Sequence, residues 1–504
     1  MRPRSKDVSI HPPTWYFRAR EQVGRAWCLH DQDGAPAERL LQAIWFHQRL
    51  LRDRLQTTDG RKVQVVHPGF PNPEGGPDFR DALVRLGDGP VCRGDVEVDV
   101  RPRSWWEHGH DQNPRYARVL LHVVWEAATL APDAPARGNR AENPPPPILP
   151  LCEVLDAPLP ELALWLDRGE NVAWPEALRG ACCAPLRQLD PGQLEELLEQ
   201  AAAARLEGKI LWFQARARAV GWEQALWEGL FRGLGYKHNT WPMQWLAEHR
   251  CRWAEGARSV TLLQARLLGL GGLLPDEIRH LPADSDQLLR RLWDLWWRDR
   301  ATLEDCCLPR NAWRLHGVRP ANHPQRRLAL VAHWLARPDW VRSLEIWCTT
   351  EHAESDLAPS LLRLLQPPSD PFWSWHWTVQ STRLPQPQPL IGEARVTDLA
   401  VNVILPWLAA RARTVEPPLL WERLQRWYFA WPTGEDNALL RLARQRLLAG
   451  RVPRGLLRRA ATQQGLLQIV RDFCDHANAA CEGCPFPARV RQWAAAAQGA
   501  GKED

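Results

Sequence analysis

The sequence predicts an α+β/α/β protein, in which an N-terminal mixed-sheet core is followed by a large, mainly α-helical region. One amphipathic helix, at residues 36–52, comes first. Apolar runs bounded by turn residues then predict strands at 62–66, 82–86, 91–100 and 119–125. From about residue 160 onward, stretches of strong helix formers dominate.

A proline-rich segment marks the predicted domain boundary. It contains four consecutive prolines, Pro144 to Pro147, which stiffen a chain without forming a helix or a strand. A chain of 504 residues is also too long for one core. We therefore predict an α/β domain at 1–130, a linker at 131–155, a helical region at 156–470, and a cysteine cluster with a tail at 471–504.

Composition narrows the classes of partner. The formal net charge is only +5, which excludes a uniformly cationic surface but leaves local basic patches open. No apolar run reaches 18 residues and the N-terminus has no apolar stretch, so we predict no membrane span and no signal peptide. Twelve cysteines, several of them adjacent, favour a reducing cytoplasm over a disulfide framework. The oligomeric state is not predicted.

An acidic pattern carries the first functional hypothesis. If residues 96–101 form a strand, alternation places Glu97, Asp99 and Arg101 on one face. Asp78 lies 19 residues before Glu97 and faces it if the second and third predicted strands pair. Adjacent carboxylates repel unless a cation or water separates them, so the pattern predicts a Mg²⁺ or Mn²⁺ site. The alternative is a hairpin strand with a solvated polar face.

A histidine segment follows, with the sequence WWEHGHD at 105–111. His108 and His110 are candidates for metal ligands, for acid–base catalysts or for phosphate contacts. The alternative is a surface loop whose tryptophans dock on the sheet. His122, inside an apolar strand, is predicted to be a hydrogen-bonded core histidine.

These residues resemble the PD-(D/E)xK superfamily of restriction-endonuclease-like nucleases. The matching segments are Pro77-Asp78 and Glu97-Val98-Asp99, and Glu38 on the first helix is placed where many members carry a further acid. The resemblance implies that Asp78 and Glu97 hold the metal, which activates water for attack on a phosphodiester of DNA or RNA.

One departure from that resemblance concerns the superfamily's lysine position, which is Asp99 here. The core is then either degenerate or uses a replacement donor, for which Arg101, His108 and His110 are candidates. A further alternative is that Asp99 is a third metal ligand.

A second resemblance covers most of the chain. The ordered motifs T-x-D-G, H-P-G, G-P-D-F, G-D-V-E-V, W-x-x-H-G-H and Y-x-x-V-L-L-H-V-V are similar to those of a bacterial domain-of-unknown-function family, numbered 2851. Later segments at 235–239, 319–322 and 402–406 also look like it. This resemblance implies no particular activity.

Three C-terminal cysteines, Cys474, Cys481 and Cys484, have the spacing C-x6-C-x2-C. This pattern predicts a zinc site or an iron–sulfur cluster, and it resembles the cluster loop of helix-hairpin-helix DNA glycosylases. The fourth cysteine of that loop is missing, because residue 490 is Val. The remaining candidates for a fourth ligand are His476, Cys182, Cys183, Cys306 and Cys307. Reduced structural thiols are the alternative.

Residues 441–459 hold seven arginines and no acid, which predicts a surface for nucleic-acid backbones. With Arg101, the candidates in this stretch are Arg451, Arg454, Arg458 and Arg459. The alternative is a helix face paired with acids elsewhere. A second arginine group, Arg319, Arg326 and Arg327, is assigned a structural role in preference to phosphate binding.

The leading hypothesis is a metal-dependent nuclease acting on DNA or RNA. The alternative from another class is a non-catalytic scaffold that binds nucleic acid or protein through a degenerate core. A third is a hydrolase that uses a His/Asp metal site on a small substrate.

Overall fold

The computed structural model describes residues 14–20, 36–72, 75–126, 145–159, 162, 179–236, 238–275, 283–415, 418–453, 455–474, 481 and 483–500. Its architecture is a mixed sheet near the N-terminus followed by a mainly helical region. Within the described residues, no helix is both long enough and apolar enough to cross a bilayer.

The sheet has six strands: β1 (Val63–His67), β2 (Phe70–Pro71), β3 (Phe79–Leu86), β4 (Val91–Val98), β5 (Val119–Val124) and β6 (Ile148–Pro150). The strand order is β1-β3-β4-β5-β6, with β2 paired to β3. β3 and β4 are antiparallel, with Phe79 opposite Val96, whereas β5 runs parallel to both β4 and β6.

One apolar core joins the sheet to the first long helix. Residues 15–20 form α1, and Glu38–His47 form α2. The spacing of Leu40, Leu41 and Ile44 puts them on one face of α2, where they are buried against the sheet. Val96 and Val98 of β4 are buried in the same core. Because side chains alternate along a strand, Glu97 between them faces the other side of the sheet.

Several elements differ from the sequence prediction; β3, for example, begins at Phe79 rather than at residue 82, and α2 ends at His47 rather than at residue 52. β4 ends at Val98 rather than at residue 100, so Arg101 lies in a turn and strand alternation does not place it beside Glu97. The two-residue strand β2 was not predicted. β6 lies inside the predicted linker and pairs with β5, which makes residues 148–150 part of the sheet. The prolines at 145–147 precede it, and residues 127–144 lie outside the described residues.

Apart from α3 (Ser104–Glu107), which lies between β4 and β5, the remaining helices belong to the helical region. Asp190 and Gln193 form a reciprocal capping box at the start of α5, with the Gln193 amide donating to Asp190 Oδ1 at 2.9 Å. The helices are α3 (Ser104–Glu107), α4 (Cys183–Gln188), α5 (Pro191–Val220), α6 (Trp222–Gly235), α7 (Thr240–Glu248), α8 (Arg250–Ala254), α9 (Val260–Leu270), α10 (Ala283–Leu303), α11 (Pro324–Leu335), α12 (Trp340–Thr349), α13 (Leu357–Leu365), α14 (Glu393–Leu399), α15 (Leu405–Val415), α16 (Pro418–Ala430), α17 (Ala438–Leu448), α18 (Ala460–Ile469) and α19 (Phe486–Ala500).

Two further apolar cores lie within the helices. The larger is rich in tryptophan and is built mainly from α5 to α16. The smaller, here called the C-terminal core, joins α1, α4 and the first half of α5 to α17, α18 and α19. The predicted cysteine cluster is therefore packed together with earlier helices and with the N-terminal α1.

The first prediction concerns Gly94, which permits close approach of β4 and β5. A Cβ at this position would overlap Leu120 Cδ2 and would lie 2.7 Å from the Arg118 carbonyl oxygen. We expect Gly94→Ala to lower the free energy of unfolding by about 2 kcal/mol, because the strands must move apart. The measurement is urea denaturation. Gly392→Ala is the matched control, since a Cβ there meets nothing within 4 Å; equal effects of the two changes would contradict the prediction.

Candidate metal centre

Asp78 immediately precedes β3 and is held against the end of β4. Its backbone amide donates to Glu97 Oε2 at 3.0 Å, and its own Oδ2 accepts from the Val98 amide at 3.1 Å. Its Oδ1 accepts from Gln42 Nε2 of α2, also at 3.0 Å. The antiparallel pairing of β3 with β4 thus brings Asp78 and Glu97 together, as the spacing of the two residues predicted.

Glu97 and Asp99 lie at the carboxyl end of β4, on the face opposite Val96 and Val98. Both carboxylates are buried, with 6% and 2% of their surfaces exposed. The backbone of Asp99 is fixed by its amide, which donates to the Val123 carbonyl at 2.9 Å. Its Oδ2 lies 2.9 Å from Nε2 of His122, a buried residue of β5. His122 is therefore the hydrogen-bonded core histidine that the sequence predicted, and it orients Asp99.

The segment after β4 brings two more imidazoles to these carboxylates. His110 Nε2 lies 3.2 Å from Glu97 Oε1, and His108 Nδ1 lies 3.3 Å from Asp99 Oδ1. One potential ligand atom from each of Asp99, His108 and His110 lies within 4.8 Å of the other two. Such a grouping of nitrogen and oxygen donors can hold a divalent metal ion.

Aromatic packing explains why the histidine segment folds onto the sheet. Trp105 of α3 is buried, with its ring 5.5 Å from His110 and 5.6 Å from His122. Tyr116 stacks on His110 at a centroid distance of 4.0 Å. Trp105 therefore packs against His122 of the sheet while His108 and His110 approach the carboxylates, so tryptophan docking and a site role for the histidines are compatible.

A fourth carboxylate comes from the helix. Glu38 lies in the first turn of α2, and its Oε1 accepts from Gln42 Nε2 at 3.0 Å, so Gln42 bridges Glu38 and Asp78. Burial, followed by the charge of Asp99, raises the pKa of Glu38. Glu38 thus belongs to the same electrostatic environment as the strand carboxylates.

Burial and mutual repulsion govern protonation in this cluster. Burial first, then the charges of Glu97 and Glu38, raise the pKa of Asp78 to about 8. Burial first, then the charge of Asp99, raise the pKa of Glu97 to about 8. Burial lowers the pKa of His110 and raises that of the Tyr116 hydroxyl. A divalent cation among these carboxylates would favour their ionised forms and reverse the carboxyl shifts.

The second prediction is a fall in stability with rising pH when metal is absent. In the unfolded chain these carboxyls ionise near pH 4, whereas their folded pKa values are about 8. Between those values the folded protein binds more protons than the unfolded chain, so its free energy of unfolding decreases as pH rises. Glu97→Gln removes one titrating group and relieves Asp78, so the decrease should become smaller. The measurement is urea unfolding in a metal chelator at pH 5 and pH 8.

The effect of Glu97→Gln on the pH dependence is determined by the titratable groups around Glu97. These groups are Asp78 before β3, Asp99 after β4, Glu38 on α2 and the His110 imidazole. The amide side chain of the Glu97→Gln variant would still offer an oxygen to the Asp78 amide, so the variant tests charge and not the hydrogen bond. Glu107→Gln is the control, because Glu107 is exposed and pairs with its neighbour Arg103 on the same helix turn. A pH slope that is the same in wild type and Glu97→Gln would contradict the prediction.

The site thus brings together Asp78, Glu97, Asp99, His108 and His110, with Glu38 beside them. Two contributors were not predicted: Gln42 and Tyr116. Gln42 is four residues after Glu38 and shares its helix face, a spacing that could have identified it. Tyr116 lies in a short 3-10 turn, and its stacking on His110 depends on a loop path that the sequence does not specify.

The predicted arginine surface belongs to another part of the molecule. Arg451, Arg458 and Arg459 are exposed around the C-terminal core, and Arg454 lies outside the described residues. Arg459 Nη1 lies 4.0 Å from Glu199 Oε1, and Arg444 pairs with Asp436. The alternative of pairing with acids elsewhere is therefore realised for these two arginines.

Comparison with known proteins gives one result about family and none about activity. Nothing among curated proteins or solved structures matches the chain significantly. A family model, described as a protein of unknown function and designated DUF2851, matches residues 38–437. That range contains the whole sheet, the carboxylate and histidine cluster and most of the helical region. This chain therefore belongs to the DUF2851 family.

Proposed function

We propose that this protein is a divalent-metal-dependent phosphodiester hydrolase that acts on DNA or RNA. The observation that carries the proposal is the convergence of Asp78, Glu97 and Asp99 at the end of β4, joined there by His108 and His110. The sequence pattern around these residues resembles the PD-(D/E)xK nucleases, and that resemblance is the reason for inferring a nucleic-acid substrate.

The donor set is suited to a metal ion with mixed ligand preferences. Carboxylates suit Mg²⁺ and Mn²⁺, but imidazole nitrogens favour transition metals over Mg²⁺. The Asp99 oxygen and the His110 nitrogen therefore favour Mn²⁺ over Mg²⁺, with Asp78 and Glu97 as the further oxygen donors, and His108 remains available for proton transfer. Such an ion, when bound, would lower the pKa of a water and neutralise charge on the phosphate.

Each protein group has a distinct part in this proposal. Asp78 and Glu97 supply negative charge at the centre, and Gln42 and the Val98 amide fix the position of Asp78. His122 orients Asp99, as a partner behind a metal ligand commonly does. Because burial lowers the pKa of His110, this imidazole stays neutral near pH 7 and offers a lone pair.

His108 is the candidate for proton transfer. About half of its side chain is exposed, while the side chains of Glu97 and His110 are buried. Its Nδ1 is close to Asp99, which holds the ring at the mouth of the cluster. A half-exposed imidazole beside a carboxylate can exchange protons with solvent and with a reacting oxygen. This position replaces the lysine donor of the superfamily pattern.

The test is cation-dependent cleavage by the purified full-length chain. Single-stranded and duplex DNA and RNA are incubated with Mn²⁺, Mg²⁺, Ca²⁺ or a chelator, and products are resolved by electrophoresis. We expect cleavage with Mn²⁺ to exceed that with Mg²⁺, and none with chelator. Activity must coincide with the protein through two different chromatographic separations, which excludes a contaminating nuclease.

The non-catalytic alternative predicts a different result from the same samples. A degenerate scaffold would bind Mn²⁺ or nucleic acid, detectable by calorimetry and by gel shift, without releasing products. Absence of cleavage in protein that binds Mn²⁺ would reject the hydrolase proposal. Cleavage confined to small phosphodiesters would favour the small-substrate alternative.

A further inference from the structure

A group of four cysteines in the C-terminal core lies apart from the carboxylate cluster. Cys474 ends the π-helical turn that follows α18, and Cys481 and Cys484 precede α19. Cys182 caps the start of α4, nearly 300 residues earlier in the chain. Cys182 and Cys474 are both buried in the C-terminal core, and Cys484 packs against it.

Packing brings the beginning of α4 to the C-terminal segment. α17 and α19 both contact α4. The Gly180 amide donates to the Arg446 carbonyl at 2.9 Å, two residues before Cys182. A Cβ on Gly180 would lie 2.9 Å from that carbonyl oxygen and 3.2 Å from Cys182 Sγ, so the approach is as close as the backbone permits.

Arg446 connects this approach to the C-x2-C turn. Its guanidinium Nη2 donates to Cys481 Sγ at 3.0 Å, and its side chain is fully buried. The Cys484 amide donates to the Cys481 carbonyl at 3.2 Å, which closes the turn. Cys481 itself has φ +59°, a left-handed conformation that a side chain rarely adopts. These contacts fix the position of Cys481, and the buried guanidinium of Arg446 lies beside its thiol.

Cys182 lies within electrostatic range of Cys474, Cys481 and Cys484. Three of the four sulfurs belong to or pack against the C-terminal core, and Cys481 lies three residues before Cys484. Cysteine sulfurs brought together in this way are ligands for soft metals.

Among the described residues, no three cysteine sulfurs lie within 4.8 Å of one another, a wider spacing than a single zinc ion requires. We propose that four cysteines form one thiolate centre that binds an iron–sulfur cluster: Cys182, Cys474, Cys481 and Cys484. The missing fourth ligand of the C-x6-C-x2-C pattern is then Cys182, which no local spacing identifies. His476, another candidate, lies outside the described residues. The centre would link the start of α4 covalently to the segment before α19. The positive charge of Arg446 would offset part of the negative charge of the thiolates. It is independent of the proposed hydrolase activity.

The test is metal analysis of the full chain, purified without oxygen from cells supplied with iron and zinc. We expect two to four irons with visible absorption per chain. Cys182→Ser should lose at least three quarters of that metal. Cys183→Ser is the matched control, because Cys183 is adjacent and also buried, and it should retain the metal. Asp99→Asn should retain it as well, which separates this centre from the carboxylate cluster.

Two outcomes would overturn the proposal. One is wild-type protein with less than a fifth of an equivalent of iron. The other is full metal content in folded Cys182→Ser. Because Cys182 is buried, circular dichroism must show that this variant folds. If it does not, Cys484→Ser decides the question, since Cys484 is less buried: retention of metal by that variant rejects the centre, and loss supports it.

Discussion

Asp78→Asn is expected to reduce Mn²⁺-dependent cleavage at least 100-fold while leaving the fold intact. The substitution removes a negative charge from the centre but keeps an oxygen that can accept from Val98 or Gln42. Losing one preorganised electrostatic group from an active site typically costs two to three orders of magnitude in rate, and Asp78 would act in this way through the metal, so about 100-fold is the minimum expected. The measurements are initial cleavage rates and Mn²⁺ affinity by calorimetry, both of which should fall.

Asp81→Asn is the matched control on the same strand. Asp81 pairs with Arg93 and Arg118 instead of with the cluster, at 3.0 and 3.2 Å. It has φ +58°, a conformation that asparagine also tolerates, so the substitution introduces little strain. Its cleavage rate should remain within about twofold of wild type, as for surface changes elsewhere. Equal losses in the two variants would show that carboxylate identity at position 78 is irrelevant.

The carboxylate pair was predictable because both of its determinants are local. Alternation in residues 96–99 predicts the face of the strand on which Glu97 lies. The short connection between β3 and β4 predicts that these two strands pair as a hairpin, and the antiparallel pairing is observed. Arg101 shows the limit of the same rule, since alternation applies only while the strand continues and β4 ends at Val98.

The partners of the carboxylates were less predictable because they depend on loop paths and on distant pairings. His110 reaches Glu97 only because Trp105 and Tyr116 pack around its ring. β6 was hidden in a proline-rich segment, because three residues carry too little periodicity to mark a strand. The packing of α4 against α17 and α19 brings Cys182 to the C-terminal segment from nearly 300 residues away, which no spacing in the sequence encodes.

Asp99 illustrates how environment can explain a departure from a sequence pattern. His122 and His108 flank its two oxygens, and His110 lies within the same grouping. A lysine at this position would place an ammonium among imidazoles and remove the acceptor that His122 uses. The carboxylate and its histidines therefore form one mutually dependent set.

The second large effect expected is on stability, at Arg326. This fully buried guanidinium on α11 donates to the carbonyl oxygens of Trp373 and His376 from one nitrogen. A second nitrogen donates to the carbonyls of Gln388 and Pro389, at 2.9 and 2.8 Å. These acceptors all lie in the segment 366–392, which has no regular secondary structure. We expect Arg326→Met to lower the free energy of unfolding by about 3 kcal/mol or more, because buried carbonyls lose their donors.

Arg319→Met is the control that separates this role from a general loss of positive charge. Arg319 is mostly exposed and pairs with Glu435 at the surface, so its loss should cost less than about 1 kcal/mol. Urea denaturation of both variants gives the comparison, and proteolysis should cut first within 366–392 in Arg326→Met. Nearly equal stabilities would contradict the structural role. A long irregular segment needs internal donors for its carbonyls, and an arginine fixed on a neighbouring helix supplies several of them from one side chain.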